Sequence, residues 1–329
     1  MADDLERLAL IEDWLKKIFP EERFVLHPAS SDASFRRYYR ATFKDSTLIV
    51  MDAPPPHEDC RPFVKIAGIF REAGVHLPEI ISQDIERGFL LLSDLGNRTY
   101  LEALDDGNAD ELYREAAESL IRIQLQSRPG VLPDYSDELL MREMNLFRQW
   151  YLEKNLGLEL GTEQIAILEK VLARLLENNL SQPRVYVHRD YHSRNLMVTE
   201  PNPGILDFQD AVYGPITYDI VSLFRDAYIS WEEERVLDWV IRYWEKARKS
   251  GLPVNPDFSE FYRDFEWMGA QRQLKVVGIF SRLHHRDGKS TYLEDIPLVL
   301  SYLKKTCARY AELSPLLRLF EKFEVRTTF

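Results

Sequence analysis

Residues 188 to 195 read His188-Arg189-Asp190-Tyr191-His192-Ser193-Arg194-Asn195, and twelve residues further on stand Asp207-Phe208-Gln209. Two carboxylates and an amide at these intervals suit one particular chemistry. Transfer of a phosphoryl group to a hydroxyl needs one carboxylate to take the attacking proton, and hard oxygen ligands to hold magnesium against the phosphates. Asp190 suits the first task; Asn195 and Asp207 suit the second.

The same residues admit other uses. His188 and His192 stand four apart and could chelate zinc from one helix face, yet the residues between them predict a loop, and no H-E-x-x-H signature is present. A solvated loop whose Asp and His merely cap a helix is the blander alternative, and the surroundings argue against it. Arg184-Val185-Tyr186-Val187 and Gly204-Ile205-Leu206 are short apolar runs bounded by polar residues, a pair of strands able to fix catalytic loops at their ends. In that setting His188 is expected to pack beneath the loop and hydrogen-bond its backbone. Asp219 opens a helical run after Gly214-Pro215-Ile216-Thr217-Tyr218. It serves either the helix dipole or the bracing of the loop, and spacing leaves both open.

Around this loop the chain divides. Leu5, Leu8, Ile11, Leu15 and Ile18 recur at helical spacing and stop at Pro20. Phe24 to His27, Phe35 to Thr42 and Thr47 to Asp52 read as strands, separated by the turn-forming stretches Pro28 to Asp32 and Lys44 to Ser46. A helix from Arg61 to Glu72 stops at Gly74, and two more strands, Glu79 to Gln83 and Phe89 to Leu92, flank Glu86-Arg87-Gly88. From Thr99 onward long helical windows take over: Glu111 to Gln126, Leu139 to Lys154, Glu163 to Asn178, Tyr218 to Tyr228, Glu232 to Lys249 and Phe258 to His284. The pattern predicts an α+β chain with a small antiparallel-sheet lobe over residues 1–96, a hinge near 93–97, and a larger, mostly helical lobe over 97–329.

Bulk composition narrows the partners. With 329 residues, 45% of them hydrophobic, the chain can bury a sizeable core. Its formal charge of -12 repels nucleic acid and anionic membrane, so small molecules are the expected partners. Cys60 and Cys307 are the only cysteines, too few for a disulfide framework or a four-cysteine zinc site. The acidic N-terminus and the lack of any apolar run near 18 residues predict a cytoplasmic protein.

The loop, the short strand ending in Asp207, and Gly214-Pro215 followed by Asp219 resemble, in order, the motifs of the aminoglycoside phosphotransferase and choline kinase-like superfamily. The resemblance implies a bilobal protein-kinase-like fold, ATP as phosphoryl donor, Mg2+ as cofactor, Asp190 as base, and Asn195 with Asp207 at the metal. A narrower likeness lies in Ser31-Asp32-Ala33-Ser34-Phe35-Arg36-Arg37-Tyr38, Met51-Asp52-Ala53-Pro54-Pro55-Pro56, Phe89-Leu90-Leu91-Leu92-Ser93-Asp94-Leu95-Gly96 and Ile205-Leu206-Asp207-Phe208-Gln209-Asp210-Ala211. These segments are similar to the anomeric amino-sugar kinases of bacterial cell-wall recycling, which act on N-acetylmuramate and N-acetylglucosamine. The resemblance implies an amino-sugar substrate made into its 1-phosphate.

Against the kinase pattern two features stand out. The phosphate-covering loop carries no glycine between Ser30 and Arg37, so Ser31, Ser34, Arg36 and Arg37 are the expected phosphate ligands. The strand position of the phosphate-binding Lys is filled by Met51, which also raises the reading of a nucleotide-binding pseudokinase adaptor. The segment around Leu92 and Asp94 is expected to face the nucleotide base. His192, Arg194, Gln209 and Asp210 are candidates for the acceptor pocket, and a lactyl carboxylate would call for Arg194, Arg272 or Arg282. An amino-alcohol or aminoglycoside kinase is the rival within enzymes, with Trp231, Trp239, Trp244 and Trp267 as possible aromatic lining.

Overall fold

The computed structural model describes residues 2–31 and 36–327, with backbone alone for 2–5, 30–31 and 324–327. Ser34 therefore lies outside the described residues, as does the side chain of Ser31. Contacts gather the chain into two compact units, Met1–Ile69 with Leu77–Asn97, and Phe70–His76 with Arg98–Phe329.

The first unit rests on α1 (Ala2–Ile18), whose apolar positions Ile11, Trp14 and Leu15 are buried against Ala41, Phe43, Val50, Phe89 and Leu91 of a sheet. That sheet comprises β1 (Val25–Ser31), β2 (Arg37–Thr42), β3 (Thr47–Asp52), β4 (Ile80–Asp84) and β5 (Phe89–Ser93), antiparallel in the order β1-β2-β3-β5-β4. The helix α2 (Arg61–Glu72) buries Phe63, Ile66, Ala67 and Phe70. One expectation fails here. Pro28 to Ser31 continue β1 rather than turning, with a register shift between Pro28 and Ser30. β1 is an edge strand, where a proline's missing N–H is tolerated and a bulge absorbs the misfit.

Arg7 ties the helix to the sheet. It pairs with the fully buried Asp52, donates to the carbonyl of Arg87 at 2.7 Å, and lies over the Phe89 ring at 4.5 Å. Met51 is fully buried and stands in register between Tyr38 and Leu90, so the apolar residue is built into the sheet itself.

The second unit is organised around α9 (Phe258–Asp287), 30 residues long and buried along much of its length. Against it pack α5 (Asp137–Leu146), α6 (Thr162–Ser181), α7 (Tyr218–Phe224) and α10 (Ile296–Arg309), and α11 (Ser314–Thr327) extends the same apolar core. A Cβ added to Gly278 would sit 2.4 Å from the carbonyl carbon of Leu146 and 2.6 Å from the nitrogen of Phe147. Only glycine permits this approach, and at that point α5 gives way to a π-helical run, Phe147–Asn155. The single helix expected from Leu139 to Lys154 is thus two segments.

Short strands carry the loops. β6 (Arg184–Val187) pairs with β9 (Val212–Pro215), and β7 (Leu196–Met197) pairs with β8 (Gly204–Ile205). The two apolar runs read as a pair of strands therefore belong to different ladders, β6 with β9 and β8 with β7. α7 also ends earlier than its periodicity predicts: after Phe224 the Asp226 carboxylate accepts the N–H groups of Tyr228 at 3.1 Å and Ser193 at 2.8 Å, which turns the chain out of the helix. The remaining helices of this unit are α3 (Tyr100–Ala103), α4 (Ala109–Leu125) and α8 (Glu233–Lys249). Among the described residues no helix is long and apolar enough to cross a membrane.

Candidate active site

β6 ends at Val187 and delivers His188, Arg189 and Asp190 in sequence. The loop that follows is fixed by main-chain bonds, from Asn195 N–H to the His192 carbonyl and from Leu206 N–H to the Asn195 carbonyl, both 2.9 Å. These bonds bring Asn195 and Asp207 together across the β7–β8 ladder. Arg189 and Asp207 both hold left-handed backbone angles, φ 78° and 59°, which a non-glycine residue adopts only where its surroundings enforce it.

Enforcement comes from buried polar groups. Asp219, fully buried at the start of α7, accepts the N–H of His188 at 2.7 Å and that of Arg189 at 3.0 Å. Of the two uses open to Asp219, the geometry assigns the bracing of the loop. His188 is also fully buried; its Nε2 donates to the Leu206 carbonyl at 2.9 Å and its Nδ1 accepts from the Asp190 N–H at 3.3 Å. Burial pushes its imidazole down to about 4, so it stands neutral; its packing beneath the loop and its bonds to the backbone are those expected from the sequence.

Around Asp190 the charges are arranged to keep the carboxylate ionised. Burial alone raises its pKa, and Lys275, His192, Arg189 and Arg272 overcome that, holding it at about 2. Lys275 reaches the site from the middle of α9, donates to the Tyr218 hydroxyl at 2.8 Å and stands 3.3 Å from Glu143. Glu143, on α5, also takes the Arg189 guanidinium at 2.5 Å and the Tyr135 hydroxyl. Burial opposes the charge on Glu143, but Lys275 and Arg189 hold its carboxyl below the usual range. Gly214 makes room for this cluster: a Cβ there would come within 2.7 Å of the Tyr135 side chain.

Asn195 donates its Nδ2 to the Asp190 carbonyl at 3.0 Å, and that amide nitrogen lies 3.4 Å from Asp207 Oδ2. Orienting the amide this way leaves its oxygen for a cation beside the Asp207 carboxylate. Among the described residues no three His, Cys, Asp or Glu side chains gather into a metal cage. A carboxylate and an amide oxygen, with phosphate oxygens and water completing the shell, are the hard donors magnesium accepts. The residues fit the ion.

The predicted acceptor residues separate into groups. His192 places its ring 5.5 Å from Tyr228, and Arg194, though exposed, lies over the same ring at 3.6 Å. Gln209 donates to Asp207 Oδ1 at 2.6 Å, so it steadies that carboxylate. Asp210 is exposed, and its carbonyl receives Arg189 Nη1 at 3.4 Å. The tryptophans are committed to packing: Trp239 and Trp267 are buried, Trp231 donates to the Tyr113 hydroxyl, and Trp244 donates to the Asn255 carbonyl.

In the first unit, Arg36 stands 3.5 Å from Glu58, an acid just ahead of α2. Arg37 opens β2 opposite Asp52. Leu92 lies within β5, paired with both Ile49 and Ile80. Asp94 is held by Arg40 at 2.6 Å, and Arg40 also donates to the Gly96 carbonyl at 2.8 Å, so this side chain shapes the segment that follows β5. Sequence reasoning missed Lys275, Glu143, Tyr135 and Asp226. A lysine within an apolar helical window was the one signal available for any of them.

Residues 25–254 match the phosphotransferase enzyme family, and the chain belongs to it. It is 52% identical to the N-acetylmuramate/N-acetylglucosamine kinase of Pseudomonas aeruginosa over 96% of each chain. Its identity to the protein of that name from Neisseria meningitidis serogroup B is 49%, over 99% of this chain and 100% of the relative. The fold is shared with a solved aminoglycoside phosphotransferase, APH(2'')-Ib, at a TM-score of 0.58 and 14% identity, covering 91% of this chain and 98% of that one.

Proposed function

We propose that this chain transfers the γ-phosphoryl group of ATP to the anomeric hydroxyl of N-acetylmuramate and N-acetylglucosamine. The observation that carries the reading is the loop after β6 that sets Asp190, kept ionised by the charges around it, beside Asn195, with Asp207 meeting Asn195 across the β7–β8 ladder. The substrate class rests on the near-complete relatives of about half identity and on the segments that resemble amino-sugar kinases. In this reading residues 1–96 serve the nucleotide and 97–329 the sugar, and the reaction runs in the cytoplasm as a step of peptidoglycan recycling.

Asp190 accepts a hydrogen bond from the attacking hydroxyl and aims its oxygen in line with the γ-phosphorus. A carboxylate with a pKa near 2 is a weak base. That suffices, because in a loose transition state the hydroxyl proton leaves late, after the new O–P bond has made it acidic. The ring oxygen of the sugar lowers the demand further, since an anomeric hydroxyl is more acidic than an ordinary alcohol. The new O–P bond forms as the bond to ADP breaks, and the proton passes to Asp190. Magnesium, held by Asn195 and Asp207, would supply charge neutralisation at the phosphates. Arg36, positioned by Glu58, would supply the cation that Met51 cannot.

The test is to incubate the protein with ATP, magnesium and either sugar and to follow products by phosphorus NMR. A sugar 1-phosphate with one ADP per turnover is expected. Phosphorylation at another hydroxyl removes the anomeric assignment, and no product with either sugar removes the substrate class.

A further inference from the structure

The cations of the second unit are not alike in how their charge is met. Arg189 and Lys275 share Glu143, and Arg225 is paired with Glu266 at 2.8 Å. Arg272 differs. It is 5% exposed, its Nε, like those of Arg189 and Arg282, is buried with no hydrogen-bond partner, and among the described residues no carboxylate forms an ion pair with it, Asp190 and Asp219 acting on it only at longer range. Burying a guanidinium without a counter-ion is costly unless something else supplies the anion.

Its position says where that anion would come from. Arg272 lies three residues before Lys275 on α9, which puts both on one face of the helix. Lys275 is the residue fixed between Tyr218 and Glu143 beside the catalytic loop. The field of Arg272 is felt at Asp190, at Asp219, at His192 and at Tyr228, the ring shared by the acceptor-side residues His192 and Arg194.

We infer that Arg272 is the specificity-determining residue for acidic sugars, taking the carboxylate of a lactyl substituent through its guanidinium. The inference rests on the sugar-kinase reading and sharpens it. Its two rivals fit less well. Arg194 is exposed and stacked on Tyr228, so a carboxylate there would make a solvent-screened pair of little discrimination. Arg282 lies ten residues further along α9, about 15 Å from Arg272 at the helical rise, beside Arg286 and Asp287. A buried guanidinium meeting a carboxylate in a two-pronged pair gives both strength and geometry. N-acetylglucosamine lacks the lactyl group and leaves that contact unmade, whereas N-acetylmuramate makes it.

The test compares the two sugars on the same preparations of the wild type, Arg272→Gln and Arg272→Lys. The kcat/KM ratio of N-acetylmuramate to N-acetylglucosamine is expected to fall about 30-fold in Arg272→Gln, mostly through KM of the acidic sugar, and by an intermediate factor in Arg272→Lys. Equal loss on both sugars would place Arg272 with the phosphoryl group or with Asp190 and overturn the inference. A second measurement needs no variant and survives a misfolded one. The methyl ester of N-acetylmuramate, tested on the wild type, is expected to show a KM raised about 10-fold or more, and an unchanged KM overturns the inference. A wild type that phosphorylates N-acetylglucosamine alone also overturns it, while one that phosphorylates neither sugar brings down the sugar-kinase reading first.

Discussion

The carboxylate of Asp219 lies 2.7 Å from the main-chain nitrogen of His188, 31 residues earlier in the chain, and its other oxygen takes the N–H of Arg189 at 3.0 Å. Through this contact a fully buried acid on α7 sets the height at which Asp190 leaves β6. Burial raises the Asp219 carboxyl to about 7, against the two N–H donors and with help from the nearby charge of Asp190.

A pH dependence follows with a definite sign. The folded value lies above the ordinary carboxylate value, so the stability this group contributes is complete below that ordinary range and is lost as pH rises through about 7. Activity runs the other way, because only the ionised form offers two full acceptors to the loop. The kcat of the wild type is expected to fall as pH drops below about 7, a limb that Asp190, ionised down to about 2, does not produce. Asp219→Asn is expected to flatten that limb and lower the plateau about 100-fold by misplacing the loop. A limb that survives unchanged in Asp219→Asn would assign it to another group.

Glu143 neutralises two cations at once, the half-buried Arg189 and the buried Lys275. Removing it in Glu143→Ala leaves both charges uncompensated and is expected to destabilise the fold by about 3–5 kcal/mol. Glu143→Gln, which keeps the shape and an acceptor, should cost less. Denaturant unfolding of the three proteins measures this, and equal stabilities would show that the cluster is held by packing alone.

Asp207 and Asn195 are the residues proposed to hold the metal, so their substitution should change the magnesium requirement. Asp207→Asn is expected to raise the magnesium concentration for half-maximal rate and to lower kcat about 1000-fold at saturation. Titration of magnesium at fixed ATP separates the two effects. A wild-type magnesium midpoint in the variant would remove the assignment.

Arg36 beside Glu58 is the pair proposed to stand in for the absent strand lysine. Arg36→Ala is expected to raise the KM for ATP about 10-fold or more while the KM for sugar moves little, with Glu58→Gln giving a smaller change in the same direction. Parallel substitution of Arg37 completes the test. If neither arginine variant alters the nucleotide KM, the phosphates are held by other groups.

Gly278 allows α9 to touch the backbone where α5 becomes π-helical. Gly278→Ala would force that backbone apart and is expected to cost about 1–3 kcal/mol, despite the better helix propensity of alanine. A thermal midpoint equal to or above the wild type would show that the helices separate freely there.

Much of this site was legible because it is local. His188, Asp190, Asn195 and Asp207 fall within one short stretch, and their spacing is written directly into the chain. The strand Thr47 to Asp52 and the helix Arg61 to Glu72 were equally plain, since each carries a clean periodicity of its own. Expectations failed where a neighbour overrode the local pattern. Pro28 to Ser31 look like a turn in isolation and become strand because β2 pairs with them. Leu139 to Lys154 look like one helix and divide where α9 presses at Gly278.

By itself the sequence pointed to phosphoryl transfer and to the residues proposed for it, Asp190 as base with Asn195 and Asp207 at the metal, together with a small sheet-bearing half and a larger helical one. Tertiary structure alone decided the environment that makes those groups work. Lys275 and Arg272 from α9, Glu143 from α5 and Asp219 from α7 converge on one loop from distant parts of the chain, and no period or spacing records that meeting. The physical reason is that a charge acts through space and not along the chain, so the state of Asp190 depends on which helices fold against it.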